Sequence, residues 1–249
     1  ILKARKDAKL NKNSILSAMG QYGTYGPKSP FTNILSETEL KGLNASELVN
    51  YYKTISNFKY RVHYYGPESS DKIALALNSK MKNENLQDVP GKVDYKELSE
   101  TENTVYVVNY DMVQAEIQML SKGAETYDKS LAPYITIFND YFGGGMSSVV
   151  FQDMRESKAL AYSVYSVYRS PKTLDEPYSV YAYIGTQADK LEDAMKGMNE
   201  LLNNMPENES FFDAAKDAVI KQIQSERITK LGILDYYESA MRRGLDSDV

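Results

Sequence analysis

The chain of 249 residues is 42% hydrophobic and 25% charged, which is ordinary for a globular protein with one sizeable core or two small ones and excludes disorder of the whole chain. Its formal net charge is −5 and its Lys and Arg residues are scattered, so no basic face is available for the phosphates of nucleic acid. No apolar run approaches the ~20 residues of a membrane-spanning helix, and we expect no membrane insertion.

The first half of the chain predicts a helix and a loop-rich connection up to residue 43, followed by alternating helices and strands. Apolar residues at helical spacing predict a helix from Asn44 to Asn57, with Asn44 and Glu47 as a capping box. The elements predicted after it are a strand at Lys59–Tyr65, a helix from Ile73 to Met81, and strands at Thr104–Tyr110 and Gln114–Leu120.

The second half predicts two helices around a run of three glycines, then two paired strands. The glycines Gly143, Gly144 and Gly145 end the first helix, and the second runs from Met146 to Lys158. Strands follow at Leu160–Tyr168 and Tyr178–Ile184. Alternation in the first strand predicts one face formed by Tyr162, Val164, Ser166 and Tyr168.

Two amphipathic helices close the chain, and Thr186 with Asp189 is predicted to cap the first of them. The order of elements predicts an α+β fold with an antiparallel sheet of five to six strands, mixed at its edge, and helices packed on one face. The chain begins at Ile1 without methionine and is expected to be a segment of something longer.

Residue chemistry alone assigns little function. Cysteine is absent, which excludes thiol nucleophiles and thiolate metal sites. The one histidine, His63, cannot build a multi-histidine metal site, and no G-x-S-x-G turn is present for a serine hydrolase. Taken alone, Arg155 is explained by the dipole at a helix C-terminus and Tyr162 by a place on a sheet face.

The segment from Phe142 to Tyr168 carries a more specific signal. It reads FGGGMSSVVFQDMRESKALAYSVYSVY: a glycine turn, a short helix and an alternating strand. This resembles the second, non-metal-binding half-domain of the insulinase/pitrilysin family of zinc peptidases, where a Gly-Gly-Gly turn leads into R-E-x-x-x-L-x-Y. Arg155 and Tyr162 occupy the arginine and tyrosine positions of that pattern. The inverted motif H-x-x-E-H that binds zinc in this family is missing from the chain.

The resemblance implies a division of labour. Residues 44–249 would form a C-terminal-type half-domain, truncated at its end, and residues 1–43 the tail and linker of a preceding half-domain. No cofactor is expected on this segment, and zinc is expected in a homologous partner half, located upstream in the same chain or in a separate subunit. Arg155 would bind the peptide substrate, and Tyr162 would act as a catalytic residue that donates a hydrogen bond to the oxyanion.

Two functions stay open at this stage. The first is the non-metal half of a zinc-dependent metalloendopeptidase, inactive by itself. The second is a catalytically inactive scaffold or peptide-binding subunit of the same family. A small-molecule enzyme is disfavoured, because the sequence contains no carboxylate pair or nucleotide motif. Composition leaves the compartment open, and the resemblance alone suggests the bacterial periplasm or cell envelope.

Overall fold

The computed structural model describes residues 1–81, 84–99, 102–171, 174–230 and 232–245. By internal packing the chain divides into two units, Ile1–Val108 and Asn109–Val249. The boundary between half-domains predicted after residue 43 differs from this division into units and stays a prediction. Among the described helices none combines the length and the apolar character needed to cross a bilayer.

The first unit is mainly helical in its described part. Its helices are α1 (Leu2–Ala8), α2 (Lys12–Tyr25), α3 (Glu37–Gly42), α4 (Ala45–Thr54) and α5 (Ser70–Lys80). The helices predicted after Asn44 and around Ile73 are thus confirmed. Asn44 does cap α4, but its side chain accepts from the backbone N–H of Ser46 at 2.9 Å, so the predicted box with Glu47 is replaced by a simple Asn cap.

Two strands predicted in this region are wrong. Neither Lys59–Tyr65 nor Thr104–Tyr110 forms a strand in the structure. Neither face of these alternating segments is buried. In the second segment, Val105 and Val107 on one face are 75% and 83% exposed, and Tyr106 and Val108 on the other are 40% and 50% exposed. An alternating sequence forms a stable strand only when a neighbouring strand pairs with its backbone N–H and C=O groups and one of its faces is covered.

The second unit is the α+β part of the chain. Its strands are β1 (Gln114–Thr126), β2 (Ser163–Arg169) and β3 (Pro177–Gln187). Its helices are α6 (Ala132–Asn139), α7 (Val149–Phe151), α8 (Leu191–Asn203), α9 (Glu209–Ser225) and α10 (Ile233–Arg242), with π-helical turns at Asp140–Gly144 after α6 and Gln152–Ser157 after α7.

The sheet is antiparallel, with strand order β1-β3-β2. This confirms the antiparallel α+β class and the pairing of the two strands that follow α7, whereas the predicted count of five to six strands is wrong. Within the described residues the sheet has three strands. In its register, Gly185 of β3 lies opposite Glu116 of β1 and Ser163 of β2.

Helices cover one face of this sheet, as predicted. The core face carries Val164, Ala182 and Ile184, which pack with Met154 of the π-helical turn and Met198 of α8. All five side chains are between 0% and 6% exposed. The opposite face of the sheet carries the tyrosines that matter for the site.

Candidate functional site

The glycine turn holds the end of α6 against the outer edge of β2. Asn139 binds both backbone groups of Tyr168: its Nδ2 donates to the Tyr168 carbonyl at 3.0 Å, and its Oδ1 accepts from the Tyr168 N–H at 2.7 Å. A Cβ at Gly143 would lie only 2.6 Å from the backbone nitrogen of Ser166. Glycine is therefore required at this position for the helix end to reach the strand.

Arg155 lies on the exposed side of the helical segment that follows the turn. Ser148 caps α7, and the helix then widens into the π-helical turn that buries Met154 and leaves Arg155 outside. The guanidinium carbon lies 4.8 Å from the centre of the Phe151 ring, and Nε is 3.6 Å from a carboxylate oxygen of Glu156. Since 46% of the side chain is exposed, these contacts leave the guanidinium accessible.

A tight turn joins this helix to β2 and fixes the position of Tyr162. The carbonyl of Met154 accepts from the N–H groups of Leu160 at 2.8 Å and Ala161 at 3.3 Å. Ala159, just before Leu160, has φ of 48°, in the left-handed region that a non-glycine residue adopts at a cost. The Thr186 hydroxyl donates to the Leu160 carbonyl at 2.6 Å. The predicted capping role of Thr186 is therefore wrong, because its hydroxyl binds this turn.

Tyr162 lies just before β2 and turns toward the exposed face of the sheet. Its N–H donates to the Gly185 carbonyl at 2.9 Å, and its ring lies directly over Gly185. The face predicted from alternation is wrong for Tyr162 alone: Val164 points to the helix-covered core, whereas Tyr162 lies on the opposite side with 40% of its surface exposed. The strand begins at Ser163, and a residue outside the ladder need not follow its alternation.

Three further tyrosines follow the same sheet face, which we call the tyrosine face: Tyr165 on β2, and Tyr181 and Tyr183 on β3. The Tyr165 ring lies 5.4 Å from that of Tyr183 and 6.0 Å from that of Tyr181, measured between centroids. The guanidinium of Arg169 lies 3.7 Å above the Tyr181 ring. Contacts of this kind fix the rings beside one another.

The hydroxyls of β3 on this face are held in their protonated form. Burial, with a smaller contribution from Tyr165, raises the pKa of Tyr181 to about 12, although Arg169 opposes the shift. The pKa of Tyr183 is also raised, first by burial, then by the negative charge of Glu116, and further by the neighbouring tyrosines Tyr162 and Tyr165. At neutral pH both side chains are therefore neutral hydrogen-bond donors.

The structure places Arg155 and Tyr162 in the same unit, on exposed positions connected through the Met154 carbonyl and the turn that it holds. His63 belongs to the other unit and is half-buried. In the described ranges no three His, Cys, Asp or Glu side chains cluster closely enough to hold a metal ion. The described His, Asp and Glu residues therefore do not fit a zinc site.

Sequence reasoning missed Tyr183 and Gly185, which complete the surroundings of Tyr162. A signal was present in Tyr181–Gly185, where tyrosines alternate and a glycine follows in phase. Glycine within a strand marks a place where another group approaches the backbone closely. The sequence does not show which group approaches Gly185. The group is Tyr162, which precedes Ser163, the residue that pairs with Gly185 in the sheet register.

Known proteins similar to this chain support the family assignment. The family model described as the peptidase M16 inactive domain matches residues 43–219. An uncharacterized zinc protease of Bacillus subtilis, YmxG, is 29% identical over 153 residues, which are 58% of this chain and 36% of that protein. The chain thus spans little more than a third of the length of this relative.

Solved structures share the fold at low identity. A peptidase M16 inactive domain from Pseudomonas fluorescens superposes with a TM-score of 0.66 at 17% identity, over 98% of this chain and 58% of that one. A mutant of the ferredoxin protease FusC in complex with Arabidopsis ferredoxin gives 0.67 at 13%, over 96% of this chain and 26% of that one. With the match over residues 43–219, the predicted resemblance is confirmed: the chain belongs to the peptidase M16 inactive-domain family and is an insulinase-family C-terminal half-domain.

Proposed function

We propose that this domain is the non-metal-binding half of a zinc-dependent metalloendopeptidase, which binds the peptide substrate and completes the active site with Arg155 and Tyr162. The observation that carries the proposal is the placement of Tyr162. Its ring is fixed over Gly185 while 40% of its surface stays exposed, on the sheet face that the helices leave uncovered. A fixed hydroxyl donor on an open surface is what an oxyanion-binding group requires.

Arg155 has the chemistry to bind the substrate backbone. A guanidinium presents several N–H donors in rigid geometry and suits the carbonyl oxygens of an extended peptide. Its contact with the Phe151 ring limits the rotamers of the side chain without covering it. In the proposal Arg155 holds the peptide in register so that the scissile bond reaches the reacting groups.

Tyr162 donates its hydroxyl proton in a hydrogen bond to the oxygen that becomes negatively charged as the scissile carbonyl turns tetrahedral. Such a donor stabilises the transition state more than the substrate, because the charge develops only on the way to the transition state. The loss of one donor of this kind costs ~10²–10³ in kcat. A half-domain without metal can therefore be essential for the reaction.

The zinc ion belongs to the homologous partner half in this proposal, where it would supply the activated water for hydrolysis. Support comes from the relatives, since the Bacillus protein is called a zinc protease and the ferredoxin protease was solved with a protein bound. By analogy we infer a peptide or a protein as substrate. In the proposal the partner half is either an upstream part of the same chain or a separate subunit.

A catalytically silent scaffold or peptide-binding subunit is the second candidate. The description of the family as an inactive domain favours it, because membership by itself implies no turnover. Arg155 and Tyr162 favour the first candidate, since a scaffold has no need of an exposed oxyanion donor.

The two candidates differ in a peptidase assay. We expect the parent protein, with its zinc-binding half present, to hydrolyse a quenched fluorescent peptide, to lose activity with a zinc chelator and to regain it with added zinc. The chain of 249 residues alone should be inactive. An inert parent that still binds the peptide would support the scaffold, and hydrolysis by the isolated chain would contradict the proposed division of labour.

A further inference from the structure

Gly185 is an unusual residue for its place in the sheet. It lies inside β3, the central strand, and pairs with Glu116 on one side and Ser163 on the other. Glycine weakens a strand, because it has no side chain to pack and loses more backbone freedom on folding than other residues. The backbone does not require it either, since among the described residues the glycines with positive φ are Gly26 and Gly244. The reason for glycine therefore lies in the space above its Cα.

That space is occupied by the phenol end of Tyr162. A Cβ at Gly185 would lie 2.6 Å from Cζ, 2.7 Å from Oη and 3.1 Å from Cε1 of Tyr162, and these are its three nearest atoms. The backbones of the two residues are also joined, since the Tyr162 N–H donates to the Gly185 carbonyl at 2.9 Å. The tyrosine is thus anchored at its main chain, and the end of its ring fills the gap that the missing side chain leaves.

The width of this gap sets the position of the hydroxyl. Carbon atoms in ordinary contact are ~3.5 Å apart, so a side chain at Gly185 would move the end of the Tyr162 ring outward by about 1 Å. The ring is able to yield, because 40% of Tyr162 is exposed. At Gly143, in contrast, an added Cβ meets the backbone of Ser166, which is held in the sheet. A side chain at Gly185 would therefore displace the Tyr162 hydroxyl and leave the sheet largely intact.

We propose that Gly185 is a positioning residue, which by lacking a side chain holds the Tyr162 hydroxyl at the place where the oxyanion forms. This inference rests on the proposed function of Tyr162. A donor stabilises the transition state only within hydrogen-bond distance of the developing charge, and a misplacement of 1 Å can cost ~10² in rate. Gly185 thus acts on the reaction through Tyr162 and without touching the substrate.

The first test is the kcat and KM of Gly185→Ala in the parent protein with its zinc-binding half, measured with a quenched fluorescent peptide. We expect kcat to fall about 10- to 100-fold with KM within about twofold, because the displaced donor matters in the transition state. Gly123→Ala is the matched control on strand β1, where an added Cβ would meet nothing closer than the Glu125 carboxylate at 3.3 Å. The control should keep wild-type kinetics, and a wild-type kcat for Gly185→Ala would overturn the inference.

A double mutant separates positioning from a general structural effect. In a Tyr162→Phe background, Gly185→Ala should cause no further loss of kcat, because the displaced ring then has no hydroxyl to misplace. An equal loss in both backgrounds would overturn the inference while leaving the function of Tyr162 intact. If Tyr162→Phe itself has no effect on kcat, the proposed function fails instead, and the two failures are distinguishable.

An NMR readout tests the contact without any activity and with Gly185 in place. An aromatic ring above the Gly185 Cα shifts the resonance of the nearer α proton upfield, and this resonance is assigned by its loss in Gly185→Ala. We expect the upfield shift in the wild type and in Tyr162→Phe, which keeps the ring, and its disappearance in Tyr162→Ala. A Gly185 α proton that does not move in Tyr162→Ala would overturn the inference, whether or not the parent cleaves peptides.

Discussion

At the scale of single residues, Arg155 combines weak contacts in the folded domain with a proposed strong contact in the complex. Its stacking on Phe151 and its long ion pair with Glu156 are both half-exposed, and interactions of this kind contribute little to the free energy of unfolding. Stability and substrate binding should therefore respond very differently when this side chain is changed.

We predict that Arg155→Ala lowers kcat/KM for peptide hydrolysis by about 10- to 100-fold, because a hydrogen bond from a charged donor is lost. The effect should appear mainly in KM, and Arg155→Lys should be intermediate, since lysine keeps the charge but loses the planar fork. Arg169→Lys, on the same unit and stacked on Tyr181, serves as control and should stay near the wild-type value. A wild-type kcat/KM for Arg155→Ala would refute the binding role.

Ala159 is a second informative residue, because the turn before Tyr162 holds it at φ of 48°. Glycine adopts this conformation without strain, so Ala159→Gly should raise the free energy of unfolding by about 0.5–1 kcal/mol. Ala214→Gly, at an exposed position of α9, should lower it by about 1 kcal/mol because glycine disfavours a helix. Urea unfolding of both variants measures the difference, and effects of the same sign would show that Ala159 is not strained.

Residue-level prediction from the sequence succeeded where local pattern decides and failed where distant contacts do. The motif placed Arg155 on a helix, which the structure confirms as a segment with a π-helical turn. The assignment of Arg155 and Tyr162 as site residues stays a prediction. The face of Tyr162 and the role of Thr186 were wrong. Both depend on β3 meeting the turn, and that contact joins residues far apart in the chain.

At the scale of elements, the junction between the π-helical turn and β2 decides how the site is built. The edge of β2 is bound by Asn139 and approached by Gly143, so this part of the edge is already occupied by the domain itself. Edge strands covered in this way are protected from pairing with other chains.

Gly143→Ala should lower the free energy of unfolding by about 2–3 kcal/mol, because the added Cβ collides with the rigid backbone of Ser166. Gly145→Ala is a matched control two residues away. A Cβ there would meet nothing within 4 Å, and its φ of −146° suits any residue. Thermal or urea unfolding of the two variants is the measurement. Equal stabilities would mean that the turn does not pack against β2 as described.

Prediction of whole elements depended on whether a buried face exists. The paired strands β2 and β3, the strand β1 and the helices around the glycine turn follow from apolar periodicity, and each has a covered face. The segment Thr104–Tyr110 has the same alternation but is exposed on both faces, so period alone predicted a strand that does not form. Coverage by other elements is a tertiary property that a single sequence does not state.

At the scale of the whole molecule, we propose that this chain works together with a zinc-binding half. Its second unit contains both proposed site residues, whereas the described residues supply no metal cluster. The family assignment and the exposed position of Tyr162 support the proposal that a partner half binds the metal and that this half binds and polarises the substrate. The sequence predicted the family because the motif from Phe142 to Tyr168 is local, whereas the substrate would depend on a partner half outside this chain.

The most direct test of this account is the kcat and KM of Tyr162→Phe in the parent protein with its zinc-binding half present. Tyr165→Phe is the control, because Tyr165 is a neighbouring tyrosine of the same sheet face and is likewise 40% exposed. We predict that Tyr162→Phe lowers kcat by ~10²-fold with KM within about twofold, while Tyr165→Phe keeps wild-type kinetics. An unchanged kcat in folded Tyr162→Phe protein would contradict the central claim that this half-domain supplies the oxyanion donor.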